Sequence, residues 1–177
     1  MILLGLSGSI SVYKACDIVS TLKKEIEVHV IMTEAATKFV APLTFQVLSK
    51  NKVHTNIFDE HIPAEINHIE LGKRAYVFII APASANTIAK ISNGIADDML
   101  SATALALPKN VKKLIAPAMN REMFLNEITQ KNIRNLQEMG YEVIAPQKKL
   151  LACGDIGIGA LAETEVILEK IRDCYRK

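Results

Sequence analysis

The chain has 177 residues, 50% of them apolar, and its 21 basic and 19 acidic side chains leave a formal net charge of +2. That length and composition bury a substantial core without disulfides or metal. They argue against a dedicated nucleic-acid binder, because basic residues form no cluster and aromatics are only 5% with no Trp to stack bases. Gly and Pro are too scarce for a low-complexity chain.

The amino terminus, Met1-Ile2-Leu3-Leu4-Gly5-Leu6, is apolar but has no basic residues ahead of it, and it reads as a first strand over Ile2–Leu6 instead of a signal peptide. No apolar run reaches the roughly 20 residues of a membrane-spanning helix. Val12, Ala15, Cys16, Val19 and Leu22 then fall on one helix face. Val28–Met32 and residues 76–81, 114–116 and 142–145 read as further strands, apolar on both faces as in a parallel sheet. Helices are predicted over residues 97–107, over 122–139 with Gly140 as the stop, and over Thr164–Tyr175. Between the last strand and the last helix, residues 150–161 hold Gly154, Gly157 and Gly159 at a spacing that fits neither helix nor strand, and read as a flap. Alternating strands and helices predict right-handed crossovers and a three-layer α/β fold with a parallel sheet, as one domain over residues 1–177.

Three cysteines, odd in number and widely separated, make neither a disulfide framework nor a metal knuckle. Cys16 shares its helix face with Val12 and Val19, and Cys174 shares one with Ile167 and Ile171, so both read as small core residues. Reduced thiols and the absence of a leader predict a cytoplasmic protein. Of the four histidines, His29 lies within a strand and His54 and His61 in a polar stretch. His68 precedes the third strong strand, and no second His or Cys stands at metal-ligand spacing from it.

In an open parallel sheet, ligands bind beyond the carboxyl ends of the strands. Two segments there carry small polar residues. Gly5-Leu6-Ser7-Gly8-Ser9-Ile10-Ser11 joins the first strand to a helix, with glycines for a tight turn and N–H groups that favour an anion. It lacks the third glycine of a dinucleotide fingerprint, although Glu34 after the second strand stands where a ribose contact could be argued. Ser84-Ala85-Asn86-Thr87 follows the third strong strand, with Ser84 as a candidate N-cap. Singly, the first reads equally as an ordinary strand-to-helix turn and the second as a cap; together they favour a phosphate-bearing ligand.

Gly8-Ser9-Ile10, Ser84-Ala85-Asn86-Thr87, Pro117-Ala118-Met119-Asn120 and Leu151-Ala152-Cys153-Gly154-Asp155 occur in this order along the chain. On these segments the whole chain resembles the flavin-dependent cysteine decarboxylases, with the third and fourth as the specific parts. A departure is Phe124, where that family often has Trp, and it bears on local packing. The resemblance implies a Rossmann-like flavoprotein fold and an FMN cofactor contacted by Gly8, Ser9, Ile10, Thr33, Ser84, Ala85, Asn86, Thr87 and Ala118. It implies substrate contacts from Asn120, Met119, Ala152 and Gly154, and catalytic roles for His68 and Cys153. No metal is implied.

For His68 the residue-level alternative is a surface histidine; the resemblance makes it the base that takes the substrate thiol proton, a task suited to imidazoles as a class because they exchange protons near neutral pH. Asn120 reads equally as a helix N-cap or as a neutral grip on a carboxylate, its amide supplying donors without adding charge. Cys153 shares no helix face, and a free thiol of pKa about 8.5 carries a proton at neutral pH.

The implied substrate is 4′-phospho-N-pantothenoyl-L-cysteine, decarboxylated to 4′-phosphopantetheine in coenzyme A synthesis. Loss of CO2 from a cysteine carboxyl needs an electron sink that side chains do not supply. The implied route is transient oxidation to a thioaldehyde, CO2 loss to an enethiol, and reduction with a proton from Cys153, so that no nicotinamide is needed. The resemblance further implies a homotrimer, or an assembly of trimers, with flavin between subunits, and a separate phosphopantothenoylcysteine synthetase as pathway partner. The competing readings are a peptidyl-cysteine decarboxylase on the same scaffold and, further off, a flavin prenyltransferase, whose chemistry has no use for Cys153.

Overall fold

In the computed structural model, which describes residues 1–59, 67–150 and 156–176, six strands form one parallel sheet. They are β1 (Ile2–Leu6), β2 (Val28–Met32), β3 (Val53–His54), β4 (Val77–Ala83), β5 (Lys112–Pro117) and β6 (Tyr141–Val143), in the order β3-β2-β1-β4-β5-β6. In the register of the central strands, Leu4 stands opposite Val30 on one side and Ile79 on the other.

Successive strand residues point to opposite faces, and both faces of β1 are apolar. Ile2, Leu4 and Leu6 join one buried cluster, while Met1 and Leu3 join another. Helices must therefore cover both sides. The first face is covered by α1 (Ala15–Leu22), α3 (Pro42–Ser49) and α9 (Thr164–Tyr175) through Ile18, Leu22, Phe45, Ile167 and Ile171. The second is covered by α4 (Asn67–Arg74), α5 (Ala85–Ser92), α6 (Met99–Leu105) and α8 (Glu127–Glu138) through Leu71, Ile88, Leu100, Ile133 and Leu136. Two short helices, α2 (Glu34–Thr37) and α7 (Arg121–Leu125), follow β2 and β5. Among the described residues no helix is long and apolar enough to cross a membrane.

The three-layer fold agrees with the sequence expectation, and its departures have local causes. The first helix opens with a 3-10 turn over Ile10–Lys14. The single helix predicted over 122–139 is broken at Asn126, whose Oδ1 accepts the Ile128 N–H at 2.9 Å and starts α8 afresh. The flap expected over 150–161 contains a strand after all: β8 (Ile156–Ala160) pairs antiparallel with β7 (Gln147–Leu150). Its pattern was hidden because Gly159 serves close approach. A Cβ there would lie 2.3 Å from the Met119 carbonyl oxygen, and its φ of +141° disfavours other residues.

Cys16 and Cys174 pack half-buried against the first cluster, as expected, and burial pushes both thiols above their ordinary pKa. The last helix is tied to the α1–β2 connection through Glu25. Its carboxylate accepts from Arg172, from the Tyr175 hydroxyl at 3.0 Å and from Arg176 at 2.9 Å.

Candidate active site

The chain leaves β1 for β2 on one side and reaches β4 on the other, so the strand order reverses at this pair. Loops diverging from such a switch point open a crevice at the carboxyl ends of the strands. Ser7 pins its two walls together. The residue is fully buried; its Oγ donates to the Pro82 carbonyl at 2.8 Å and accepts the Ser84 N–H at 2.7 Å. Its own N–H reaches the same carbonyl at 3.2 Å. The turn after β2 packs against the first wall at Gly8, where a Cβ would meet the Ala35 Cβ at 2.6 Å.

Four capping side chains ring this crevice. Ser9 accepts from Ser11 N–H at 3.4 Å, Thr33 from Ala36 at 3.2 Å, Ser84 from Thr87 at 3.3 Å and Asn120 from Glu122 at 2.8 Å. Ser84 opens α5, a helix of eight residues whose first N–H groups face outward from the sheet's carboxyl edge.

Together these turns enclose a cavity of about 860 Å³. Gly8, Ser9, Ile10, Thr33, Ser84, Ala85, Asn86, Thr87, Ala118, Met119 and Asn120 all line it, so three of the four segments singled out in the sequence meet at one place. Glu34, argued above as a ribose contact, lines it too. The β7–β8 hairpin closes one side, with the Met119 N–H donating to the Gly159 carbonyl at 2.9 Å. Ala152, Cys153 and Gly154 lie outside the described residues. His68 sits on α4 and does not line the cavity of its own chain; its Nδ1 is buried with no partner among the described residues.

Sequence reasoning missed the charged lining. Lys90 reaches Asp97 at 2.6 Å and Asp98 at 2.9 Å, and these bonds raise its pKa. Burial works against ionising Asp98, yet the Ser101 N–H and Lys90 outweigh it and hold the carboxyl below its usual range. The available signal was Asp98-Met99-Leu100-Ser101, a reciprocal capping pair at the start of α6. Lys149 lines the hairpin side, held by Glu163 at 2.6 Å, and Lys14 lines the first turn. Ser7 was singled out for no role within the first turn; only the fold shows its two partners.

The lining suits a flavin mononucleotide. The Ser9 and Thr87 hydroxyls, the Asn86 amide and the α5 N–H groups are the donors a phosphate ester and polyol need, while the Ser84 hydroxyl donates to Thr87 Oγ1 at 3.3 Å. Ile10, Phe39, Met119 and Met123 supply apolar walls for a flat ring system.

Comparison with known proteins agrees with this geometry. The Flavoprotein family matches residues 1–176. The chain is 51% identical over 173 residues to the probable phosphopantothenoylcysteine decarboxylase of Streptococcus mutans, covering 97% of each. It is 48% identical over 169 residues to the coenzyme A biosynthesis bifunctional protein CoaBC of Bacillus subtilis, covering 95% of this chain and 41% of that protein. Among solved structures, a cysteine-to-serine mutant of PPC decarboxylase complexed with pantothenoylaminoethenethiol superposes with a TM-score of 0.89 at 32% identity, covering 99% and 98% of the two chains. The FMN binding protein AtHal3 superposes with a TM-score of 0.86 at 34% identity, covering 99% and 96%.

Proposed function

The chain belongs to the Flavoprotein family, and from that membership and the geometry of the cavity we propose that it catalyses the FMN-dependent decarboxylation of 4′-phospho-N-pantothenoyl-L-cysteine to 4′-phosphopantetheine in coenzyme A biosynthesis. The observation that carries this reading is the convergence of residues 8–10, 84–87 and 118–120 on one cavity at the switch point of the sheet.

FMN, when bound, supplies a reversible two-electron acceptor that takes and returns one electron pair, leaving the reaction redox neutral. The rest falls to the chain's own residues. Ser84, Asn86 and Thr87 with the α5 amides would hold the phosphate end, joined by Ser9 and Thr33, and Ile10 and Ala118 would offer the ring an apolar contact. Asn120 grips the substrate carboxylate. Its Oδ1 accepts the Glu122 N–H, and its Nδ2 is the atom that donates to the carboxylate. A neutral donor orients the carboxylate without the ground-state stabilisation a cation would add, and such stabilisation opposes loss of CO2. Met119, Ala152 and Gly154 complete the substrate contacts, and the Cys153 thiol holds the proton delivered to carbon at the end.

His68 is the base for the substrate thiol. Because it does not line the cavity of its own chain, this role requires a second copy to present it, which supports a homotrimer or an assembly of trimers as the working form. The protein acts in the cytoplasm, with phosphopantothenoylcysteine synthetase as its pathway partner.

The test is to purify the protein, identify its bound cofactor by absorbance and mass, and measure CO2 release from 4′-phosphopantothenoylcysteine and from a cysteine-ended peptide. A yellow protein active on the phosphorylated substrate is expected. Turnover of the peptide alone would reassign it as a peptidyl-cysteine decarboxylase, and a colourless protein that takes up no FMN would refute the proposal.

A further inference from the structure

A second cavity, of about 140 Å³, lies at the opposite end of the sheet, where β5 and β6 begin. It is walled by Ile91 and Ile95 from the end of α5 and the turn after it, and by Leu105 and Leu107 from the end of α6 and the residues beyond. Lys90, Asp97 and Asp98, on the same α5–α6 pair, line the large cavity instead, so the two spaces are distinct.

The polar end of this recess is unusual. Tyr141 is 4% exposed, yet its hydroxyl has no partner among the described residues. Burial pushes its pKa well above the ordinary phenol value, so the group stays protonated and able to donate. Lys113 lines the same recess; its ammonium donates to the Met139 carbonyl at 2.6 Å and stands 5.2 Å from the centre of the Tyr141 ring. Among the described residues no carboxylate pairs with it. A buried hydroxyl and an exposed ammonium held by one carbonyl, beside the aliphatic side chains of this recess, are the complement of a carboxylate with a compact hydrocarbon body. Cavities of about 150 Å³ lined by aliphatic side chains admit a six-membered ring.

We propose that this recess binds a small monocarboxylate with a branched or cyclic hydrocarbon body, its oxygens meeting the Tyr141 hydroxyl and the Lys113 ammonium and its body packing among Ile91, Ile95, Leu105 and Leu107. The site is separate from the flavin cavity and does not depend on the reaction assigned there.

The probe is cyclohexanecarboxylate, titrated into the flavin-loaded protein by calorimetry and by ligand-observed NMR, with cyclohexylamine as a cation of the same shape. Saturable binding of the acid at one site per chain is expected, with none of the amine. Tyr141→Phe and Lys113→Met should each weaken it about tenfold or more. Tyr141→Phe alone should also raise the thermal midpoint of the ligand-free protein, because it removes an unpaired buried hydroxyl. Failure of the acid to saturate at millimolar concentration, binding of the amine as well as the acid, or wild-type affinity in both variants would each overturn the assignment.

Discussion

Replacing Ser7 by alanine tests whether one hydroxyl holds the two anion-facing turns in place. The substitution deletes a donor bond of 2.8 Å to Pro82 and an acceptor bond of 2.7 Å from Ser84. Pro82 is not orphaned, because the Ser7 N–H still reaches its carbonyl at 3.2 Å. Ser84 is the loser: its N–H, part-buried at the head of α5, faces a methyl group. A stranded buried N–H costs about 1–3 kcal/mol, and the lost donor bond adds roughly 0.5–1.5 kcal/mol. Partial relaxation of the Ser84 turn toward the cavity brings the expected loss to about 2 kcal/mol. Because the α5 amides move with Ser84, flavin affinity should fall about tenfold, equivalent to about 1.4 kcal/mol. Urea unfolding of the flavin-free protein at fixed protein concentration measures the first quantity, and quenching of FMN fluorescence on titration measures the second. A stability change under about 0.5 kcal/mol, the range of ordinary surface substitutions, would refute the account of Ser7. A destabilised variant with unchanged FMN affinity would refute the coupling to α5.

Three further outcomes are expected. Gly159→Ala sets a Cβ against the Met119 carbonyl oxygen in a backbone conformation that L-residues avoid, and should cost about 1–3 kcal/mol in urea unfolding while lowering turnover as the β7–β8 hairpin lifts from the cavity. Asn120→Asp keeps an equally good N-cap, so its thermal midpoint should match the wild type. Its added charge opposes the substrate carboxylate, and CO2 release should fall about a hundredfold or more, for a barrier increase near 2.7 kcal/mol. The Arg172 guanidinium, helped by the Tyr175 hydroxyl, pulls the Glu25 carboxyl down to a pKa of about 2. A carboxylate depressed in the folded state stabilises above its unfolded value, near 4.3, and loses that contribution as pH falls toward the folded one. The stability gap between wild type and Glu25→Gln, present at neutral pH, should therefore shrink steadily through this acid window and close near pH 2.

The layers of the fold were legible because its central strands are buried on both faces. Ile2–Leu6 and Val28–Met32 are unbroken apolar runs, which a half-exposed strand would not be. Helices that bury little were not legible. In α3, Leu43 is 65% exposed and Val47 56%, and α4 buries only Leu71 and Gly72, so neither shows a helical period of apolar residues. The same division runs through the site. The turns at strand ends carry their chemistry in consecutive residues, whereas Lys90 finds Asp97 and Asp98 across a helix end, and Lys149 finds Glu163 across a hairpin. Such pairs exist only after folding. His68 is the extreme case: the residue alone reads as a surface histidine, only the resemblance makes it a base, and on α4 it does not line the cavity of its own chain.

Capping and ligand binding stand as rival explanations for Ser84 and Asn120 in the sequence, and the geometry removes the rivalry. A parallel sheet sends a helix backward from each strand, so helix starts gather at the carboxyl edge, where open α/β sheets also form their ligand crevice. Whatever caps those helices stands at the rim of the cavity. The cap uses one atom and orients the rest of the side chain: Ser84 Oγ accepts from Thr87, and Asn120 Oδ1 accepts from Glu122. That bond fixes the rotamer, so in the proposed function a capping side chain that also meets the ligand is already ordered and loses less conformational entropy on binding. Serine and threonine divide one hydroxyl between the two tasks. Asparagine has two polar atoms and can give one to each, which is a physical reason for an amide, and not a hydroxyl, at position 120.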